Sequence, residues 1–389
     1  MIYQAPVLKP PDLEALAAIE ALRGEMRHFL VEPRRWFGTL RRTALARAVQ
    51  GSNSIEGYHA SVEDVAAIVE GEEPLEVNEE TRLAVVGYRD AMTYVLQLAR
   101  QPIRIDETLL KSLQFMMLKH DMSKNPGQWR PGPIWIEDQD GRVVYNAPDR
   151  ELVEPLIAEL IGTLERDEET RLVGAAMAHL NLALIHPSSD GNGRMARCLQ
   201  SLVLARGGIL SPEFASIEEY LGQHTDDYYS VLAEVAGGSW TPERTARPWI
   251  EFSLTAHFRQ ARTVLRRIRE MEELWDRCEQ LAARHRLAPR CVGALCDSSR
   301  GWRIRRSLYI KVTRSTIGED LTHATATRDL RALAEAGLLE AQGEKRGRVY
   351  LPTPELRQVW DAIRARRPVP AEESPYPPDA QLQLPGVAG

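Results

Sequence analysis

Apolar residues recur at helical spacing through most of the first hundred positions, as in Leu13-Leu16-Ile19, Leu40-Ala44-Ala48 and Val85-Tyr88-Ala91. Steps of three and four put each set on one face, so residues 11–100 read as helices packed through a single stripe. The same period runs from Ile105 to His120 and then breaks. Around Asp140-Gly141 the pattern alternates, with Ile134-Trp135-Ile136 before it and Val143-Val144-Tyr145 after it, which predicts a β-hairpin on a tight turn. Helical spacing returns over Glu151–Arg166, Glu169–Ile185 and Arg194–Ala205, the last stopped by Gly207-Gly208. Tyr228-Tyr229 fall into a helical pattern with Leu232 and Val235. Trp249–Arg284 is a long, charge-rich helical stretch. Its heptads are not sustained, so it is expected to pack back on the core rather than form a coiled coil.

The last third changes character. Val312–Leu321 and Ala324–Ala336 read as helices joined by Thr322-His323, the second ending at Gly337. Two short strands follow, Leu338-Leu339-Glu340 and Arg348–Leu351, around the basic turn 343–347. Helix, turn, helix, hairpin is the order of a winged helix. Arg328 and Arg331 could then face DNA, with Lys345, Arg346 and Arg348 of the wing on phosphates, whereas Asp329 would repel them. A protein partner or a second copy of the chain is the alternative occupant of this module.

Composition sharpens this picture in three places. A chain of 389 residues is expected to form two or three domains. No apolar run reaches membrane-spanning length and the N-terminus lacks a basic-then-apolar signal pattern, so a cytoplasmic protein with no membrane partner is expected. Cys198, Cys278, Cys291 and Cys296 are few and irregularly spaced, which suits reduced thiols rather than a metal knuckle. The net charge of −6 conceals a segregation: Arg284–Arg348 holds fourteen Lys/Arg against seven Asp/Glu, so this module should face something anionic. From Pro368 onward six prolines and few apolar residues predict a disordered tail.

The densest chemistry lies in the run from His186 to Arg197. His186 ends an apolar helix at Pro187 and supplies a titratable base with a pKa expected near working pH. Asp190 is a carboxylate. Gly191, Asn192 and Gly193 form a turn whose N–H groups can converge on an anion, and the helix that follows points its positive end at the same place. Arg194 and Arg197 stand three apart and share a face of that helix. A base, a carboxylate, an anion nest and two arginines are what holding a polyphosphate beside a proton transfer requires.

This segment resembles the signature of the Fic family, His-x-Phe-x-(Asp/Glu)-Gly-Asn-Gly-Arg-x-x-Arg, with Ser188 where the family usually has Phe. That Phe is an apolar anchor, so the change bears on loop rigidity more than on chemistry. The resemblance implies transfer of a nucleoside monophosphate, usually AMP from ATP, to a Ser, Thr or Tyr hydroxyl of a protein. It implies His186 as the base and Asp190 as the Mg²⁺ ligand. Residues 191–193 would line the nest, and Arg194 and Arg197 would contact the outer phosphates. Tyr228 and Tyr229 are candidates for touching adenine or ribose, and the hairpin at 132–147 would be the flap on which the target segment docks.

Upstream, Ser52-Asn53-Ser54-Ile55-Glu56-Gly57 is similar to the family's inhibitory motif, (Ser/Thr)-x-x-x-Glu-(Gly/Asn). Ser52 and Glu56 are one helical turn apart, and Gly57 is a natural stop. In this reading Glu56 pairs with Arg197 and occupies the place of the terminal phosphate, or instead positions water to remove AMP from a modified target. The expected architecture is mostly α: a helical Fic core with a β-hairpin flap plus a C-terminal winged-helix domain. The boundaries are 1–104 for the region with the inhibitory helix, 105–245 for the core, 246–285 for a connector, 286–355 for the winged helix and 366–389 for the tail. Two rival readings are a DNA-binding regulator whose Fic core senses nucleotide, and a Fic enzyme with another donor.

Overall fold

Four helices occupy the first hundred residues: α1 (Pro10–Val31), α2 (Phe37–Ile55), α3 (Val62–Val69) and α4 (Glu79–Leu98). The computed structural model describes residues 1–31, 34–101, 104–138, 140–165, 171–206, 211–344, 347–367 and 373–376. Helix starts follow local chemistry. Ser61 Oγ accepts the Asp64 N–H at 3.0 Å and Asn78 Oδ1 the Thr81 N–H at 2.8 Å, each satisfying a first-turn donor. In α1 the buried stripe is Ala15, Leu16, Ile19 and Met26, while Leu13 is 53% exposed, contrary to expectation. At a hundred degrees per residue Leu13 is turned about 120° from Ile19, off the edge of the stripe.

α5 (Glu107–Leu118) starts on Asp106, whose carboxylate accepts the Leu109 N–H at 2.8 Å. The expected hairpin follows as β1 (Trp135–Glu137) and β2 (Val143–Asn146), antiparallel, with Ile136 opposite Tyr145 and a register shift at Ile136/Glu137. α6 (Val153–Leu164), α7 (Arg171–Ile185) and α8 (Asn192–Ala205) come next. α7 is apolar on nearly every side and is accordingly buried on nearly every side, packed on α8. The short α9 (Pro212–Ala215) and α10 (Glu218–Gln223) lead to α11 (Thr225–Ala236) and the 38-residue α12 (Arg247–Arg284). The stops at Gly207 and Gly208 lie outside the described residues.

The C-terminal third departs most from expectation. It comprises α13 (Val292–Ser299), α14 (Arg306–Ile317), α15 (His323–Glu335), the antiparallel pair β3 (Leu339–Gln342) and β4 (Val349–Pro352), and α16 (Pro354–Arg364). The first helix of the expected pair starts six residues earlier and ends at Ile317, because Gly318 takes a left-handed φ of 72° and closes it. Thr322 is not a turn residue but the cap of α15, accepting the Thr325 N–H at 3.1 Å. Ile304 adds a short antiparallel bridge to Tyr350. Lys345 and Arg346 of the expected wing lie outside the described residues.

Three apolar clusters form the core. One gathers α2 to α8 behind the His186 segment. A second joins Met26, Trp36 and Leu40 to α12, α13, α15 and α16, so the C-terminal helices share their core with the N-terminal ones. The third packs α1, α7, α11 and α12 and includes Tyr376. The tail expected from residue 366 is therefore ordered in part. Arg367 pairs with Glu270 at 2.6 Å, Arg366 pairs with Glu273, and the buried Tyr376 hydroxyl reaches Asp12 at 3.2 Å. Residues 368–372 and 377–389 lie outside the described residues. Among the described residues no helix is long and apolar enough to cross a membrane.

Candidate active site

α7 ends where its run of apolar residues meets His186 and Pro187, and the chain turns there with His186 at φ 51°. Such a conformation costs a non-glycine residue energy and must be held by its surroundings. The holder is Arg130, a buried arginine just ahead of the hairpin. Its Nε donates to the His186 carbonyl at 3.0 Å, its NH1 to Gly132 O at 2.6 Å and its NH2 to Pro148 O, while its backbone N–H donates to Pro187 O at 2.8 Å. One side chain thus ties the histidine loop to both feet of the hairpin. Tyr145 of β2 adds a second tie, its hydroxyl donating to Leu184 O at 2.6 Å.

The His186 Nδ1 lies 3.1 Å from the Ala183 carbonyl. A carbonyl can only accept, so Nδ1 carries the proton and Nε2 keeps its lone pair. Burial pushes the imidazole pKa below its ordinary value of 6.5, partly offset by that hydrogen bond and by Glu56. The shift is thus downward from the ordinary imidazole value from which the sequence reading started. A downward shift favours the neutral ring, whose Nε2 lone pair is free to accept a proton.

The loop 187–191 closes on itself. The Ser188 N–H donates to Asn192 Oδ1 at 2.9 Å, and Asn192 Nδ2 donates back to Ser188 O at 2.8 Å. The Asn192 side chain is thus occupied in shaping the loop rather than pointing into it, and Ser188 is fully buried there. Gly191 sits at φ 78°, where a side chain would be strained, and α8 begins at once at Asn192. The first-turn N–H groups of α8 have no intrahelical acceptor and face the loop mouth. Asp190 Oδ2 is held by Lys124 at 2.6 Å, and its Oδ1 lies 3.9 Å from Arg194 NH2. These cations keep the carboxyl below its ordinary pKa despite burial.

Arg194 and Arg197 are buried on α8 with 1% of their side chains exposed. Arg194 lies over the Tyr58 ring at 5.4 Å. Arg197 Nε donates to Ser52 Oγ at 2.8 Å, and its NH2 donates to Ser52 O at 3.0 Å and Glu56 Oε1 at 2.6 Å. The upstream motif is the end of α2: Ser52 lies in its last turn, Glu56 caps it, and Gly57 leaves it at φ 83°. Glu56 Oε1 would stand 2.7 Å from a Cβ built at Gly193, so any side chain there would push this carboxylate from its place. Arg194 Nε and NH1 and Arg197 NH1 remain buried with no partner among the described residues.

Every residue drawn from the signature and the upstream motif is gathered in this one place. The tyrosine pair divides. Tyr228 is buried, its hydroxyl 2.9 Å from His179 Nε2, and packs as core. Tyr229 is half exposed, and its hydroxyl donates to Ile55 O at 3.4 Å beside the Glu56 turn. Sequence reasoning missed Arg130 and Lys124. Arg130 gave a signal in Trp129-Arg130-Pro131-Gly132, a cation where the chain changes from helix to hairpin. Lys124 gave none.

Residues 104–204 match the model of the Fic/DOC family. A protein adenylyltransferase Fic from Nematostella vectensis is 31% identical over 212 residues, covering 52% of this chain and 44% of that protein. Protein adenylyltransferase fic-1 from Caenorhabditis elegans is 27% identical over 236 residues, covering 56% and 43%. The chain thus spans less than half the length of these two relatives. A Fic family protein from Desulfovibrio desulfuricans G20 superposes with a TM-score of 0.56 at 22% identity, over 90% of this chain and 99% of that one. A Fic domain containing signaling protein from Bacteroides thetaiotaomicron gives 0.54 at 18%, over 65% and 97%. The mostly helical fold with its hairpin is therefore the fold of Fic structures, and residues 104–204 are the part of it that matches the Fic/DOC family.

Proposed function

We propose that this chain transfers AMP from ATP to a hydroxyl group of a protein, and that Glu56 holds its resting form inactive. The observation that carries the reading is the pair of buried arginines at the mouth of α8. Three of their nitrogens, carrying five N–H donors, lack acceptors among the described residues, while the Glu56 carboxylate accepts from Arg197 NH2. The names of the relatives above support ATP as the donor. In this reading the outer phosphates take the unmet donors of Arg194 and Arg197, and the first turn of α8 faces the phosphate chain. His186 Nε2 removes the proton of the incoming hydroxyl. The oxygen bonds to the α-phosphorus, the bond to the bridging oxygen breaks, and pyrophosphate leaves toward the arginines. The half-exposed Tyr229 is the member of the tyrosine pair within reach of a nucleoside.

Asp190 suits a magnesium ion, which commonly binds through one or two carboxylates together with phosphate oxygens and water. Lys124 would have to give up its place on Oδ2. Magnesium bound there would offset phosphate charge during transfer. The target segment would add as a strand along the hairpin, whose Trp135, Ile136, Val143 and Val144 are exposed without a covering element.

A charge-assisted contact such as Arg197–Glu56 nets about 1.5–3 kcal/mol, enough to keep roughly 90–99% of molecules closed. The expected outcome is that Glu56→Gly raises transfer about 10- to 150-fold. The measurement is parallel labelling with ATP carrying ³²P at the α or the γ position, with Mg²⁺. The proteins are wild type, Glu56→Gly, and Glu56→Gly combined with His186→Ala. Label from the α position alone, strongest in the single variant and lost in the double, supports the reading. Label from the γ position, or none above wild type in Glu56→Gly, overturns it.

A further inference from the structure

α14, the loop 318–322 and α15 form a helix–turn–helix. α15 packs on α14 and β3 and leaves its outer side to solvent. Some cations of this region are engaged and others are not, and even the exposed Arg314 pairs with Asp320 at 3.2 Å. Those turned toward the body are engaged: Arg303 with Glu63 at 2.9 Å and Lys311 with Glu72 at 2.7 Å. Those on the outer side of α15 are not. Arg328 and Arg331 are exposed, three residues apart, and have no ion pair or hydrogen bond among the described residues.

The acid between them does not counter that charge. Asp329 is turned inward and buried, where Arg290 holds both its oxygens at 2.7 and 3.0 Å and the Tyr309 hydroxyl donates at 3.0 Å. The repulsion of phosphate expected of Asp329 from the sequence is thus removed by the fold. The first turn of α15, His323-Ala324-Thr325, is small or polar and lets that end approach a surface closely. Arg306 is exposed next to α15, its NH1 3.3 Å from the Thr327 hydroxyl, and Arg348 is exposed at the foot of β4, its Nε 3.4 Å from Gly343 O.

We propose that the outer face of α15 binds duplex DNA in the major groove. Arg328 and Arg331 would reach base edges, and Arg306 and Arg348 the flanking phosphates. A B-form major groove is about 12 Å wide and admits a helix; the deep, narrow major groove of duplex RNA does not. Single strands are gripped by stacking on aromatic side chains. Among the described residues the exposed aromatics are Tyr94, Phe115, Trp135 and Tyr229, all outside this region.

The test uses the full chain and a pool of duplexes with a randomised centre. Selection should enrich a shared site. On the enriched duplex, Arg328→Ala should weaken binding about 5- to 150-fold. Arg328→Lys should retain binding to unselected duplex but lose preference for the site, since it keeps charge and loses the fork. Arg348→Ala should weaken all duplexes alike and lower the salt slope by about one. His186→Ala should bind as wild type does, because this surface is independent of the transfer reaction. Three outcomes overturn the proposal: no enrichment and no binding of mixed-sequence duplex at low salt; binding unchanged in Arg328→Ala/Arg331→Ala; or equal binding of duplex RNA or polyglutamate. The last would point to an acidic protein instead.

Discussion

A guanidinium carries five N–H donors in one plane, and Arg197 places three of them on Ser52 and Glu56. The two on NH1 are left over. That residue was legible in the sequence because its role follows from spacing: a cation three positions after Arg194 on a helix that opens an anion nest. Arg130 was visible only as a cation where helix gives way to hairpin; its role was not, because its partners are backbone carbonyls as far as 56 positions away that any residue could supply. Tyr228 misled for a different reason. An aromatic pair at adjacent positions must point to different sides, and the sequence does not say which side carries His179. Glu218 also escaped notice. It is fully buried on α10, accepts the Ser201 hydroxyl at 2.9 Å, and burial raises its pKa from 4.5 to about 7. The folded chain thus binds a proton that the unfolded chain has lost between those values, so this carboxyl subtracts stability as pH rises through that window. Glu218→Gln should have the higher melting temperature at pH 8, and the difference should shrink toward pH 5. Melting curves across that range check it, and a constant difference would mean Glu218 does not titrate in the fold.

α2 is the element on which the site depends most, and its position is set by glycine. A Cβ at Gly51 would meet Glu218 O at 2.5 Å, and one at Gly222 would meet Gly51 O at 2.6 Å, so α2 and α10 cross backbone to backbone. A helix pinned one residue before Ser52 cannot slide away from Arg197. Under the proposed autoinhibition, release of Glu56 would come from rotation or fraying of the turn after Gly51. Gly51→Ala should force the crossing apart at a cost of about 1–3 kcal/mol, lower the melting temperature, and raise basal transfer by displacing Glu56. Paired thermal melts and labelling assays check both parts. Full stability with unchanged activity would mean α10 yields instead. Helix identity was readable across this region because the apolar stripes are long. The ends of α14 were not, since Gly318 and the Thr322 cap lie close together and only the fold decides which of them acts first.

At the scale of the molecule the same helix joins two cores. Toward its N-terminal end Gly38 would bring a Cβ within 2.8 Å of Ser315 O on α14, and Arg42 forms a buried ion pair with Asp297 of α13. Arg300 also reaches Asp297, at 2.5 Å, and Thr43 at 3.2 Å. A charge pattern along the sequence marked residues 284–348 as distinct, but it could not show that their core would be shared with α1, α2 and α12. Asp297→Ala should strand Arg42 without a counter-charge and cost about 3–5 kcal/mol. The urea midpoint should fall by the same amount whether followed at the C-terminal helices or at the Fic domain. Separate midpoints would mean that the two cores unfold independently. The shared ion pair also bears on how such a chain can be assembled by recombination. The C-terminal third is not freely portable: moved to another protein, Asp297 would keep Arg300 but lose the buried Arg42 that shares it. The body left behind would keep that arginine, with an open seat beside its most sensitive helix.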